Sequence, residues 1–161
     1  MVSSRWSIEK FLKRLGSSEP VPGGGSAAAL AAALGCSLGG MVAHILLSRP
    51  RIKGAARSSV WKELRALDSL SRELQRLIER DARAYEGLLQ AQRSGRSVAA
   101  ARRRAAGSPR AICAAATKAL RRIDRLAPWA GPYLGSDLKA GRALLRGAFE
   151  AARVTAEINL K

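Results

Sequence analysis

Cysteine, histidine, aromatic and acidic residues are all in short supply in this chain. The two cysteines, Cys36 and Cys113, have no CxxC or CxxH neighbours and are too few for a disulfide framework or a structural zinc site. The single histidine, His44, cannot support a multi-histidine metal centre; flanked by Ala43 and Ile45, it reads as a helix-packing residue. No metal is expected, and the cysteine usage fits a cytoplasmic protein. No stretch alternates β-branched and polar residues for long, so no strand is expected. Acidic residues number 12 against 29 Lys and Arg, which leaves a net charge of +17. A field of that size attracts polyanions. The chain nevertheless has no RNP-like aromatic motif, zinc finger or helix-turn-helix pattern of a recognisable nucleic-acid reader.

What is abundant is alanine, leucine and glycine, and their arrangement is informative between residues 20 and 47. Pro20-Val21-Pro22-Gly23-Gly24-Gly25-Ser26 cannot propagate a helix cheaply, whereas Ala27 to Leu34 is close to an ideal helix former. The chain must switch from loop to helix near Ser26. A glycine loop feeding a helix N-terminus presents unpaired backbone N–H groups at the positive end of a dipole, which suits an anionic or carbonyl-rich ligand. The simpler alternative is a tight turn with Ser26 as cap. The helix that follows carries no formal charge to about Leu47 and contains a formal GxxxG, Gly35 to Gly39. It is long enough to span a membrane. Its alanine and glycine content supplies little transfer energy and no second such segment exists, so it reads as the central helix of a soluble bundle. A signal peptide is not expected, because the apolar run starts behind an amphipathic segment and a turn.

The length suits one domain, residues 1–161, with a genuine core. Trp6 to Leu15 reads as a short amphipathic helix, and Arg49-Pro50 ends the central one. From about Ser58 to Ala91 a long helix places Leu64, Leu67, Leu74, Leu77 and Ile78 on one stripe, and Asp81 intrudes on that stripe before Tyr85. A basic segment to Arg104 then precedes a helix from Pro109 to Leu126, a Gly/Pro connector from Pro128 to Gly135 and a last helix from Ser136 to Asn159. The fold expected is an all-α antiparallel helical bundle of about five main helices. Desolvation on an apolar face raises a carboxylate's pKa, making Asp81 a candidate acid or base; a structural Asp tied to an arginine is the plainer reading. Asp137, after Ser136 at a helix start, is ordinary helix-dipole chemistry on its own.

Residues Glu19-Pro20-Val21-Pro22-Gly23-Gly24-Gly25-Ser26-Ala27-Ala28-Ala29, continuing to Met41-Val42, closely resemble the opening motif of the cyclodeaminase/cyclohydrolase family. Asp81-Ala82-Arg83-Ala84-Tyr85, Ser108-Pro109, Ser136-Asp137 and Ile158-Asn159-Leu160 are similar to further family segments, in the same order. The resemblance implies a bundle, commonly a homodimer, that takes one-carbon tetrahydrofolate derivatives as substrate and makes or opens the methenyl bridge, as a hydrolase or as an ammonia-releasing lyase. It implies Asp81 as acid/base, with Asp137 as its partner or as a substrate-orienting group. Pro22, Gly23, Gly24, Gly25, Ser26 and Ser136 are then the substrate-binding candidates. The asparagine usual before the Ser-Asp pair is absent from Pro132 to Gly135, and the connector before Pro109 is short for the family. The alternatives from other classes are a basic helical module for nucleic acid or another polyanion, and a catalytically degenerate family member.

Overall fold

A computed structural model describes all residues from 1 to 161. Ser7 begins the short helix α1 (Ile8–Leu15) by accepting a hydrogen bond from the Lys10 N–H at 3.2 Å, and Phe11 is the side chain that α1 buries in the core. Helix α2 (Gly24–Ser48) follows, starting two residues earlier than Ser26. Gly23 occupies the cap position and no side chain caps the helix. The Ser26 hydroxyl is turned instead towards α3.

Helix α3 (Gly54–Ser94) buries Val60, Leu64, Leu67, Leu74, Leu77 and Ile78, the stripe expected from their spacing. It runs antiparallel to α2. At one end Arg57 donates from Nη1 to the Leu47 carbonyl at 2.7 Å, and at the other Ser26 meets Asp81. Glu63, buried on α3, accepts from Arg122 Nη1 at 3.1 Å and from Arg125 Nη1 at 3.5 Å, which fixes α3 against the next helix.

That next helix corrects the expected division of the C-terminal half. The bundle of about five helices is met roughly: four helical runs are present, and the last, α4 from Val98 to Ile158, contains Pro109, Pro128 and Pro132 and is divided in two by a break at Gly131. The basic segment to Arg104 is helical, and Pro109 starts nothing. A proline in a helix removes the N–H owed to the carbonyl four residues back. For Pro109 that carbonyl belongs to Ala105, and it accepts instead from Asn159 Nδ2 at 3.1 Å. The connector expected over 128–135 shrinks to one non-helical residue, Gly131, at φ 66° and ψ −176°. Positive φ is cheap only for glycine. The break folds α4 into two antiparallel arms, tied by Asn159 to Ala105, by the Cys113 thiol to the Phe149 carbonyl at 3.5 Å, and by Arg142 to Asp124.

α2 is the central element, packed against α3 and both arms of α4 in a connected core of 33 buried residues. It is long and apolar enough to cross a membrane by length and composition, yet most of it is buried inside the bundle. Small residues permit this close approach. A Cβ on Gly35 would lie 2.7 Å from Leu145 Cγ and 2.9 Å from the Gly141 carbonyl oxygen. One face of α2 stays uncovered. Leu34, Met41 and Ile45 are exposed along it, and so is His44, which is not packed in the core as its neighbours suggested.

Candidate active site

The first turn of α2 has no acidic residue, and its first intrahelical backbone bond runs from Ala27 N to the Gly23 carbonyl at 3.0 Å. The N–H groups of Gly24 and Gly25 therefore have no partner within the helix. Gly23, Gly24 and Gly25 line a cavity of about 250 Å³ together with Asp81, Tyr85 and Thr155. Pro20, Val21, Ile158 and Asn159 complete the wall. Three elements far apart in sequence thus meet: the glycine start of α2, the Asp81 stripe of α3 and the C-terminal end of α4.

Asp81 is only 6% exposed and has no arginine or lysine paired with it. Burial pushes its carboxyl above the usual range, against the opposing effect of hydrogen bonds from the Ser26 hydroxyl and backbone N–H. The Ser26 oxygen lies 3.0 Å from the Ile78 carbonyl oxygen and 3.0 Å from Asp81 Oδ2. A hydroxyl has one proton to give. When Asp81 is neutral, Ser26 donates to Ile78 and accepts from the Asp81 O–H; when Asp81 is charged, the Ser26 proton turns to the carboxylate. The serine therefore accommodates both protonation states, which suits a group that gains and loses a proton within one cycle.

Gly25 is required by the same contact. A Cβ at this position would fall inside van der Waals distance of all three atoms of the Asp81 carboxyl group, at 2.5 Å from Cγ and 2.6 Å from Oδ2. At Gly24 it would meet Thr155 Oγ1 at 3.2 Å. The glycines let the acid approach the helix N-terminus. Asn159, 7% exposed, has its carboxamide oriented by the Ala105 carbonyl that Pro109 leaves free, so its Oδ1 stays without a protein donor.

The expected site residues separate into two groups. Gly23, Gly24, Gly25 and Asp81 line one cavity, Ser26 holds the Asp81 carboxyl group, and Pro22 is buried in the turn leading in. Ser136 and Asp137 are not there. Asp137 lies 18 residues before Thr155 on the second arm of α4, roughly 27 Å at 1.5 Å per residue. The exposed Ser136 hydroxyl donates to the Tyr133 carbonyl at 2.6 Å, and Asp137 is half-buried. Thr155 and Asn159 as cavity residues are additions from the structure; the only sequence signal for Asn159 is its place in a short family-like segment. Neither cysteine is poised as a nucleophile. Burial pushes the Cys36 thiol up to about 12, and Cys113 is raised for the same reason.

A family model described as formiminotransferase-cyclodeaminase matches residues 7–161. The formimidoyltransferase-cyclodeaminase of Dictyostelium discoideum is 41% identical over 68 residues, 42% of this chain and 10% of that protein. A methenyltetrahydrofolate cyclohydrolase of Methylorubrum extorquens is 32% identical over 83 residues, 52% of this chain and 39% of that protein. The aligned part thus spans well under half the length of either relative. The crystal structure of formiminotetrahydrofolate cyclodeaminase from Thermotoga maritima superposes with a TM-score of 0.92 at 24% identity, covering 97% of this chain and 79% of that one, a likeness of fold.

Proposed function

The chain belongs to the formiminotransferase-cyclodeaminase family, and from that premise we propose that it makes or opens the methenyl bridge of a tetrahydrofolate derivative, with Asp81 as the proton-transferring group. The observation that carries the assignment is the burial of Asp81 without a cation, beside the free N–H groups of Gly24 and Gly25, on the wall of a cavity. A methenyl carbon bridging two nitrogens is an amidinium-like electrophile. For hydrolysis, the Asp81 carboxylate removes a proton from the attacking water as the C–O bond forms. The resulting carboxylic acid returns that proton to the departing nitrogen as the C–N bond breaks, and the hydroxyl left on the carbon releases its own proton to solvent as it becomes the formyl carbonyl. In the deaminating direction the same group deprotonates the attacking folate nitrogen and protonates the leaving amine. A raised pKa serves both halves, because the acid form must survive near neutrality. The backbone N–H groups of the glycine turn hold a carbonyl or carboxylate of the substrate, and the Asn159 Oδ1 accepts from a ring N–H.

Asp137 has no step in the cavity of its own chain. We place the contact with a second copy on the uncovered stripe of α2, where Leu34, Met41 and Ile45 are exposed on the one long helix without charge. In a chain of +17, that is the face on which two copies meet with least repulsion. The test is the absorbance decay of 5,10-methenyltetrahydrofolate with wild type and Asp81→Asn. A clear wild-type rate that the substitution abolishes supports the assignment, whereas equal rates remove Asp81 from the mechanism.

A further inference from the structure

A second feature lies on the outside of the α3–α4 pair and shares no residue with the Asp81 cavity. It is an open hollow of about 690 Å³ into which Arg80 and Arg83 from α3 and Arg103 and Arg104 from α4 project. Ala84, Gly87, Ala100 and Gly107 form the rest of the lining, and no acidic residue contributes. All four arginines are exposed, and the ion pairs of the chain engage Arg14, Arg122, Arg125, Arg142 and Arg153, none of the four. Leu88, Ala101 and Ala105 pack between the same two helices as a separate small cluster, so the hollow is not an extension of the cavity.

The hollow is one end of a longer arrangement. At 3.6 residues per turn, positions 65, 69, 72, 76, 80 and 83 fall on one stripe of α3. They hold Arg65, Ser69, Arg72, Arg76, Arg80 and Arg83, all exposed. Asp81 lies on the opposite side of α3, whereas Glu73 and Glu79 border the stripe one turn from Arg76; Glu79 feels the Arg83 charge and is held by the N–H and hydroxyl of Ser4 at 2.9 and 3.0 Å. The stripe spans 18 residues, roughly 27 Å, which corresponds to about eight base pairs at 3.4 Å per step on each strand. A mononucleotide or a short anionic tail is too small to use it. Between Arg65 and Arg83 there is no aromatic residue, and the one exposed aromatic beside the stripe, Trp61, offers a single stacking surface at its end, too little to track the bases of a single strand along the roughly 27 Å.

We propose that the α3 stripe and the four-arginine hollow bind the phosphodiester backbone of a duplex nucleic acid, without reading its sequence. Guanidinium forks along one helix face contact phosphates along one side of a duplex, and phosphate contacts carry no direct sequence information. The binding is therefore strongly salt-dependent.

The experiment is fluorescence anisotropy with a 20-base-pair duplex DNA, titrated with the full chain between 50 and 200 mM salt. The expected result is an affinity loss of about 10³-fold across that range, and equal affinity for unrelated sequences. Arg80→Ala/Arg83→Ala/Arg103→Ala/Arg104→Ala should weaken binding at least tenfold and flatten the log–log slope by about one unit for each phosphate that is no longer neutralised. A charge-matched control, with Arg5, Lys13, Lys139 and Arg146 outside the stripe and the hollow replaced by Ala, should retain the wild-type slope. Gly107→Asp adds an acid to the hollow where a new Cβ meets nothing within 4 Å, and it should weaken duplex binding with the fold intact. Equal losses in the two quadruple variants, or an unchanged Gly107→Asp, overturn the proposal. So does tighter binding of poly-glutamate, of single-stranded dT20 or of anionic phosphatidylserine vesicles than of the duplex at equal salt.

Discussion

Asp81 and Asp137 stand at similar points of two family-like segments, yet the regions around them differ in every property that decides chemistry. Around Asp81 the backbone is regular, the carboxyl group is buried, and its close neighbours are Ser26, Gly25 and a helix N-terminus. Asp137 is half-buried on the second arm of α4, six residues after the Gly131 break, and it lines no part of the Asp81 cavity. Burial raises the proton affinity of Asp81. Position in a motif nominates a residue; the dielectric around it decides what it can do.

The comparison breaks most decisively at Asp81 itself. Asp81→Asn should lower kcat/KM for methenyltetrahydrofolate by about 10²- to 10⁴-fold, the usual worth of a positioned acid/base, whereas Asp137→Asn should leave the rate nearly unchanged if each cavity works alone. A large loss with Asp137→Asn would instead mean that the partner subunit's Asp137 reaches the cavity across α2. Stability should report on Asp81 as well. The native state keeps a proton on Asp81 that the unfolded chain has already released, so folding stability falls as pH rises from the ordinary carboxylate value to that of Asp81. Urea titrations over that window should show the decline in wild type and its absence in Asp81→Asn.

Gly25→Ala comes next. It forces the carboxyl group off its place, and a displacement of about 1 Å costs on the order of 10²-fold in rate. The same steady-state assay reads it, with circular dichroism to show the helices intact. Asn159→Leu follows, leaving the Ala105 carbonyl without a donor at a cost of about 1–3 kcal/mol. Pro109→Ala restores a backbone N–H for that carbonyl, so the double variant should recover much of the loss in denaturant melts. Additive losses would contradict the assigned tie. The smallest effect is Ser26→Ala, which removes an interaction that lowers the Asp81 pKa. The limb of the pH–rate profile that reports Asp81 should move to higher pH, with Ser26→Thr closer to wild type.

Much of this architecture is legible in the amino-acid order alone. The apolar stripe of α3, the charge-free centre of α2 and the intrusion of Asp81 all follow from periodicity, because each depends on residues within a few turns of one another. α4 is not legible for the opposite reason. Pro109 reads as a helix start because its missing N–H normally ends an interior ladder, and the side chain that removes this cost, Asn159, lies on the other arm. Pro128 and Pro132 read as a connector, yet only Gly131 leaves helical geometry. For the site, the glycine turn and Asp81 are visible as local anomalies. Their contact, and the roles of Thr155 and Asn159, arise from how the helices stack, which no local pattern encodes.

The contact between Gly25 and the Asp81 carboxyl also constrains how this chain can change over generations. In a library varying both positions, the two would behave as one coupled variable: a side chain at 25 leaves the site undisturbed only when 81 has become small. A lineage that loses the acid is freed to accept alanine or serine in the turn, and once it has done so, restoring aspartate at 81 is no longer a single viable step. The close approach acts as a ratchet, so an intact Gly25 beside Asp81 is the signature of a site that has not yet slipped past it.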